Sequence, residues 1–310
     1  MTGDGSGAVR AMSLRDLIGA AARRLAAAGV PSPRHDAEAL AAHLLGVGRG
    51  ELLLHPEPDG EFATRYAELV DRRADREPLQ HITGHAFFRR LTLAVGPGVF
   101  VPRPETELTA GAAIEAARRV LRSGRSAVVA DLYAGSGAIG VAIADEAPGA
   151  TVHVVEADDE AVRWLRRNVD DWLSDHPGRT DALTAHHADV DGCLPDFDDR
   201  LDVVAANPPY IPAGARIRDP EVAAHDPAAA LWSGPDGLDA MRVLERTAAR
   251  LLRPGGLVVA EHADAQGRAA PAVFEAAGHW TDIADHLDLA GRPRYLTAVR
   301  ARSAGPRAAG

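Results

Sequence analysis

The segment Asn207-Pro208-Pro209-Tyr210 joins residue types suited to handling a planar NH2 group. Two consecutive prolines lock φ twice and remove two amide donors. The carbonyls of Asn207 and Pro208 are then not used up by a continuing helix. A planar NH2 group can donate one hydrogen to the Asn207 side-chain oxygen and the other to the Pro208 carbonyl, with Tyr210 against its face. Such a seat suits a carboxamide nitrogen, a poor nucleophile because its lone pair is delocalised into the carbonyl. Two fixed acceptors orient that nitrogen and stabilise the charge it gains on attacking a methyl group. Orientation and proximity are worth roughly 7–11 kcal/mol in ideal geometry. Against a strong electrophile no dedicated base is required, so the lack of an obvious catalytic His or Cys is no objection. The same four residues also read as a plain turn, since Asn-Pro favours turn initiation.

A second constellation lies upstream. The run Asp131-Leu132-Tyr133-Ala134-Gly135-Ser136-Gly137 ends a strand and opens a helix. Glycines there permit a tight turn and close approach of a ligand, and helix-start amides favour negatively charged groups. The next strand ends at Glu156, where an acid can accept hydrogen bonds from both hydroxyls of a ribose. This pairing points to an adenosine-containing cofactor without separating a dinucleotide from S-adenosylmethionine. The loop does not spell G-x-G-x-x-G, and no arginine-rich pyrophosphate clamp follows. In the plainer reading Gly135 and Gly137 serve only the turn, and Glu156 is a surface acid.

These residues need a scaffold, and the patterning supplies one. Ala127–Leu132, Val152–Val155, Leu201–Ala205 and Leu257–Ala260 read as strands. They alternate with helical patterns at Ala138–Ala144, Glu160–Trp172, Leu238–Leu252 and Gln266–Ala277. Alternation of this kind predicts an α/β fold, a doubly wound and mostly parallel sheet. Asn207 then falls at a strand's carboxyl end, where open α/β sheets bind ligands. The Arg294–Val299 run is expected as an edge strand, and Phe87–Val101, with Gly96-Pro97-Gly98, as a hairpin. Before them lie helices only. Ser13 caps the first, with Asp16 three residues on; Leu14, Leu17, Ile18, Ala21 and Leu25 line one face, and Gly29 ends it. Ser32-Pro33 opens a second through Leu45, and Glu61–Arg76 is a further amphipathic stretch. The expected division is a helical domain over 1–86, a hairpin and hinge over 87–106, a catalytic domain over 107–301 and a tail over 302–310. Residues 1–11 also read as a frayed end.

Composition narrows the function classes. The chain has 310 residues, is 46% hydrophobic and 25% charged, and carries a formal net charge of -10. That balance opposes a life on non-specific phosphate contacts, so no stable nucleic-acid partner is expected. The single cysteine, Cys193, excludes an intramolecular disulfide and a multi-cysteine zinc site, and no metal is expected. With no apolar run of membrane-spanning length and no apolar signal core in Met1 to Arg10, neither a membrane partner nor export is expected; the reading is cytoplasmic.

At this point a combination of motifs carries a resemblance. Glu77-Pro78-Leu79-Gln80-His81-Ile82-Thr83-Gly84 is followed by Val101-Pro102-Arg103-Pro104-Glu105-Thr106-Glu107 and by Asn207-Pro208-Pro209-Tyr210. Later come Asp226-Pro227 through Ala230-Leu231, Gly234-Pro235-Asp236-Gly237-Leu238, Pro254-Gly255-Gly256 and Glu261. From about Leu14 to Val299 the chain resembles the release-factor glutamine methyltransferases (the HemK/PrmC family). The resemblance implies a class I methyltransferase-like sheet behind a small N-terminal helical domain that recognises the substrate. It also implies S-adenosylmethionine as cofactor and, as protein partner, class I peptide chain release factors, methylated on the glutamine of their Gly-Gly-Gln motif. By the same resemblance Tyr133, Ala134, Gly135, Ser136 and Gly137 form the cofactor loop, Gly135 and Gly137 line the methionine part, Glu156 takes the ribose, and Asp189 with Val190 takes the adenine edge. Asn207 and Pro208 hold the substrate amide, Tyr210 walls it, Pro209 completes the segment, and Asn207 also borders the cofactor. The Pro102–Glu107 segment lines the entry, with Phe100 as an apolar contact or a core residue; Arg103 and Glu107 read equally as a structural ion pair.

Three positions depart from the family pattern. Tyr133 replaces the first glycine of the loop and is expected to keep φ below zero. Val190 stands where relatives place an aromatic beside adenine, and Ala263 replaces a glycine after Glu261-His262. Alternative readings are a glutamine methyltransferase acting on a large-subunit ribosomal protein, a nucleic-acid methyltransferase acting on an exocyclic base amine, and an inactive cofactor-binding scaffold. The Pro-Arg-Pro-Glu-Thr-Glu run favours the release-factor branch over the first. The acidic charge counts against the second, and the intact Asn-Pro-Pro-Tyr against the third.

Overall fold

The computed structural model describes residues 12–55 and 58–302; the expected frayed end over 1–11 and nearly all of the tail over 302–310 lie outside them. The chain divides into two compact units, one running to Gly84 and including Asp219–His225, the other comprising the rest. In the first, α1 (Leu14–Ala27), α2 (Pro33–Leu45), α3 (Gly60–Ala74) and the short α4 (Leu79–Thr83) follow one another. The Ser13 hydroxyl accepts the Asp16 amide and donates to the Asp16 carboxylate, satisfying an otherwise orphaned donor of the first turn. Leu14, Ile18 and Leu25 of α1 pack with Leu40, Tyr66, Val70 and Ile82. The Tyr66 hydroxyl donates to the Ala37 carbonyl at 2.8 Å, so this core buries no unpaired phenol.

The second unit opens with a hairpin of β1 (His85–Phe88) and β2 (Leu91–Ala94), then α5 (Thr106–Arg122). There follow β3 (Ala127–Leu132), α6 (Ala138–Glu146), β4 (Ala150–Glu156), α7 (Asp159–Asp175), β5 (Leu183–His187) and β6 (Leu201–Ala206). After α8 (Pro220–His225) come α9 (Asp239–Leu251), β7 (Leu252–Glu261), α10 (Ala269–Ala277), β8 (Trp280–Leu287) and β9 (Pro293–Arg300). The seven-stranded sheet has the order β5-β4-β3-β6-β7-β9-β8, parallel through β7 and antiparallel beyond. Alternate residues of its central strands face two cores. Val129, Val152, Val154 and Val203 pack with residues of α5, α6 and α7, whereas Leu132, Val155, Val204 and Val258 pack with α9 and α10. Strands buried on both faces read as continuous apolar runs, which is why these four were visible in the sequence.

Several expectations are corrected. The hairpin turns at Arg89-Arg90, not at Gly96-Pro97-Gly98. That triplet packs on α7: a side chain at Gly96 would overlap the Trp164 ring, and Trp164 Nε1 donates to the Pro97 carbonyl at 3.1 Å. The C-terminal strand β9 is not an edge; it lies between β7 and β8, and β8 forms the edge. Neither β5 nor β8 carries a strong apolar run, and both draw their conformation from pairing with neighbours. The helix α8 stands in sequence among elements of the second unit but belongs to the first, where Glu221 accepts from Arg73 at 2.8 Å and from Arg76 at 2.7 Å.

Candidate active site

The strand order reverses at β3: β4 and β5 lie on one side of it, β6 and β7 on the other. Such a switch point opens a crevice at the carboxyl ends of the strands. The registers Leu132↔Val155, Leu132↔Ala206 and Ala206↔Ala260 set four residues side by side across the sheet. The residues one step further are Glu156, Tyr133, Asn207 and Glu261. Thus the loop, the strand-end acid and the Asn-Pro-Pro-Tyr segment are brought together by backbone pairing alone.

The loop is tightly made. Ala134 N donates to the Val155 carbonyl at 3.0 Å, and Gly137 N to the Ala134 carbonyl at 2.8 Å. Gly135 and Gly137 have φ of 55° and 83°. A Cβ on Gly137 would come within 2.6 Å of the Leu165 side chain, whereas one on Gly135 would meet nothing within 4 Å, leaving open space over that backbone. Ser136 is buried, and its carbonyl accepts Asn168 Nδ2 at 2.9 Å; Asn168 also exchanges hydrogen bonds with the Ala94 backbone. Asp131 Oδ2 accepts the Gly140 amide at 2.8 Å, and Oδ1 has no partner. Burial, and secondarily repulsion from Glu156, push the Asp131 carboxyl up to about 8, the Gly140 bond opposing them.

Tyr133 overturns one expectation. Its φ is 58°, inside the left-handed region, so the side chain occupies a backbone conformation that glycine adopts without cost. The ring packs against the core on the α9 side, and its hydroxyl donates to the Ala240 carbonyl at 3.2 Å. Burial raises the phenol well above its ordinary range.

Glu156 is already engaged by backbone. Oε2 accepts Gly135 N at 2.7 Å, and Oε1 accepts Ala157 N and Asp158 N at 2.8 and 2.9 Å. A carboxylate offers roughly four acceptor positions; three are taken, and the Gly135 bond ties strand-end acid to loop. Asp189 is exposed and accepts the Asp191 amide, while Val190 is buried in the core and its carbonyl accepts Thr247 Oγ1.

At Asn207, Nδ2 donates to Thr106 Oγ1 at 3.4 Å. The ladders of β6 end at Ala206 on both sides, so the Asn207 and Pro208 carbonyls lie beyond them. Pro208 is buried; Pro209 and Tyr210 are partly so. Burial, with the negative charge of Glu261 behind it, pushes the Tyr210 phenol up to about 12. Gln266 pins the segment: its Nε2 donates to the carbonyls of both Tyr210 and Gly237, each at 3.1 Å, while Oε1 accepts Ala263 N. Ile211 N donates to the Leu231 carbonyl at 2.8 Å and Ser233 N to the Ile211 carbonyl at 2.9 Å, fixing the exit of the segment.

Arg103 and Glu107 do not pair. Arg103 bonds Asp226 at 2.8 Å and lies over the Phe100 ring, whereas the Glu107 carboxylate accepts the Arg89 amide.

Comparison with known proteins follows the same division. Residues 16–84 match the family model described as the PrmC N-terminal domain, and residues 91–221 the methyltransferase small domain. A release factor glutamine methyltransferase of Streptomyces coelicolor is 53% identical over 92% of this chain and 97% of its own length. Another, of Mycolicibacterium smegmatis, is 45% identical over 93% and 98%. The chain belongs to the release factor glutamine methyltransferase family. A 4-amino-L-phenylalanine/4-methylamino-L-phenylalanine methyltransferase of Streptomyces pristinaespiralis is also similar, at 38% identity over 96% of this chain and 98% of its own. Within the family framework, residue types and spacing alone did not disclose the roles of Asn168 and Gln266. Their only signal was polarity at positions destined for burial.

Proposed function

We propose that the chain transfers the methyl group of S-adenosylmethionine to the side-chain amide nitrogen of the glutamine in the Gly-Gly-Gln motif of class I peptide chain release factors. The observation that carries this is the lateral row in which Asn207 follows the strand beside the glycine loop, with Glu156 one strand beyond. The names of the relatives favour a release factor over a ribosomal protein or a nucleic-acid base as acceptor.

The residues present fit the cofactor. Gly135 leaves open space over its backbone, Asp131 Oδ1 is a buried polar atom without a partner, and Glu156 is held at the strand end by amides. Gly135 and Gly137 would take the methionine part, Glu156 the ribose, and Asp189 with the Val190 backbone the adenine edge. Bidentate acceptance from a ribose requires the Gly135–Glu156 bond to yield one acceptor position. When bound, the cofactor supplies an electrophilic methyl group on a cationic sulfur.

The chain supplies orientation and charge stabilisation. Asn207 Oδ1 and the Pro208 carbonyl accept the two hydrogens of the substrate amide, aiming the nitrogen lone pair away from both. As the nitrogen becomes cationic those bonds strengthen, which stabilises the transition state more than the ground state. The methyl group's bond to sulfur would break with its electron pair left on sulfur, and the alkylated amide, a strong acid, then loses one proton to solvent. Tyr210, neutral at any physiological pH, packs on the amide face and excludes water.

The test is transfer of labelled methyl from S-adenosylmethionine to purified release factors and, separately, to RNA. Label is expected in a release factor and absent when its Gly-Gly-Gln glutamine is changed to asparagine. Label that is confined to RNA, or that survives the glutamine change, overturns the proposal.

A further inference from the structure

Asn207 meets the substrate with the right atom only if its amide is turned one way, and the residue behind it bears on that choice. Glu261 ends β7 one step past the Ala206↔Ala260 pairing, on the strand next to Asn207. It is 1% exposed, and among the described residues no ion pair ends on it. Its hydrogen-bond partner is a hydroxyl: Thr109 Oγ1 donates to Oε2 at 3.3 Å, and Thr106, three residues earlier in α5, helps to hold the same carboxyl down. Thr106, itself buried, accepts Asn207 Nδ2 at 3.4 Å, which leaves its own proton to be given to Glu261.

A threonine hydroxyl has one proton to give. Spent on Glu261, it leaves Thr106 Oγ1 as an acceptor towards Asn207, and only the NH2 end of that side chain can satisfy it. The Asn207 oxygen is then turned away from Thr106. Resting on the function proposed above, we propose that Glu261, acting through Thr106, is a positioning residue that sets the orientation of the Asn207 amide and so presents its oxygen to the substrate nitrogen. An ionised carboxylate only accepts, so the chain of bonds has one polarity. A protonated Glu261, or a glutamine there, can donate to Thr106, freeing the threonine proton for the Asn207 oxygen and letting the amide reverse.

The polarity depends on pH. Burial pushes the Glu261 carboxyl up to about 7; Thr106, Thr109 and Arg294 oppose that rise and Glu105 adds to it. The Tyr210 phenol, pushed to about 12, stays neutral across the range. The ordered chain is therefore complete above about 7 and is lost as pH falls through it.

The sequence provides a clean probe, because Asn168 and Asn207 are its only asparagines. Full-length protein labelled with 15N in asparagine side chains shows two NH2 pairs, assigned through Asn207→Ala. The Asn207 pair is expected to shift with a single midpoint near pH 7, and to lose that midpoint in Glu261→Gln and in Thr106→Val, while the Asn168 pair holds still. In single-turnover methyl transfer, Thr106→Val is expected to lower the rate by about 10–100-fold, somewhat less than direct loss of a transition-state hydrogen-bonding group. The KM for the release factor and the affinity for S-adenosylhomocysteine should stay within about threefold, and Thr106→Ser should restore most of the rate. An Asn207 pair that titrates identically in Glu261→Gln, or a Thr106→Val enzyme with wild-type rate, overturns the inference. A rate loss shared by Thr106→Ser and accompanied by lost cofactor binding overturns it too, since that marks packing alone. If the wild-type chain methylates no release factor, the function fails, and the amide signals still decide this inference.

Discussion

The proposed chemistry concentrates in one side chain, Asn207. Its Nδ2 is occupied by Thr106, which leaves the oxygen as the atom proposed to receive the substrate. Replacing Asn207 by alanine removes one preorganised acceptor whose bond is strongest in the transition state. The expected result is a fall in kcat of about 10²–10³ with a much smaller change in KM. Single-turnover transfer to a Gly-Gly-Gln substrate measures it, and a rate near wild type would reduce the segment to a turn. Tyr133 shows the opposite kind of residue, one held against its own preference. A left-handed conformation costs an L-residue roughly 1–2 kcal/mol. The packing of the partly buried ring and the bond to the Ala240 carbonyl offset that cost, and in doing so fasten the loop to the start of α9.

Among the elements, the loop before α9 matters to the site as much as β6 itself. Gly237 has φ of 76°, and a Cβ there would lie 2.5 Å from the Tyr210 carbonyl oxygen and 2.9 Å from Gln266 Nε2. Gly237→Ala therefore strains the backbone and pushes on both ends of the Gln266–Tyr210 bond that pins the Asn-Pro-Pro-Tyr segment. Misplacing a substrate-holding group by about 1 Å can cost around 10² in rate. A loss of that order in kcat is expected, with S-adenosylhomocysteine affinity in calorimetry unchanged, because the glycine loop and Glu156 stand on other strands. Equal loss of cofactor binding would show that the loop before α9 supports the whole crevice instead of the substrate seat.

Across the whole molecule, the chain leaves the second unit after Arg218, contributes α8 to the first, and returns at Asp226. What holds α8 is charge: Arg73, 4% exposed in its side chain, bonds Asp36 and Glu221, and Arg76 bonds Glu221 and the Gly29 carbonyl. Buried ion pairs add little over an apolar replacement of all partners, but removing one partner strands the others. Arg73→Met is expected to destabilise the first unit by about 3 kcal/mol, the lower end of the range for a broken buried pair, since Glu221 keeps some contact with water. Urea unfolding followed in wild type and variant measures this, and a change within about 0.5 kcal/mol, the size typical of an ordinary surface substitution, would contradict it.

Periodicity and punctuation are local, so Ala127–Leu132 and Leu201–Ala206, flanked by Gly135 or by Pro208-Pro209, were legible as strands ending in a turn. The apolar face of α1, its Ser13 cap and its ending at Gly29 were legible for the same reason. Adjacency in the chain is local as well, which is why Asn207-Pro208-Pro209-Tyr210 could be read from the sequence as a candidate seat for an NH2 group. The sign of φ at Tyr133 was not, because a side chain tolerates the left-handed region only where its surroundings compensate, and Ala240 lies 107 residues away. Nor could β5 and β8 be read, since edge strands with little apolar burial take their conformation from the neighbour they pair with. The partners of Asn207 lay furthest out of reach: Thr106 is 101 residues distant, and Thr109 meets Glu261 across 152. Sequence by itself determined which residues end the strands. Only the register between strands, set by burying both faces of the sheet at once, decided that Glu156, Tyr133, Asn207 and Glu261 stand in one row.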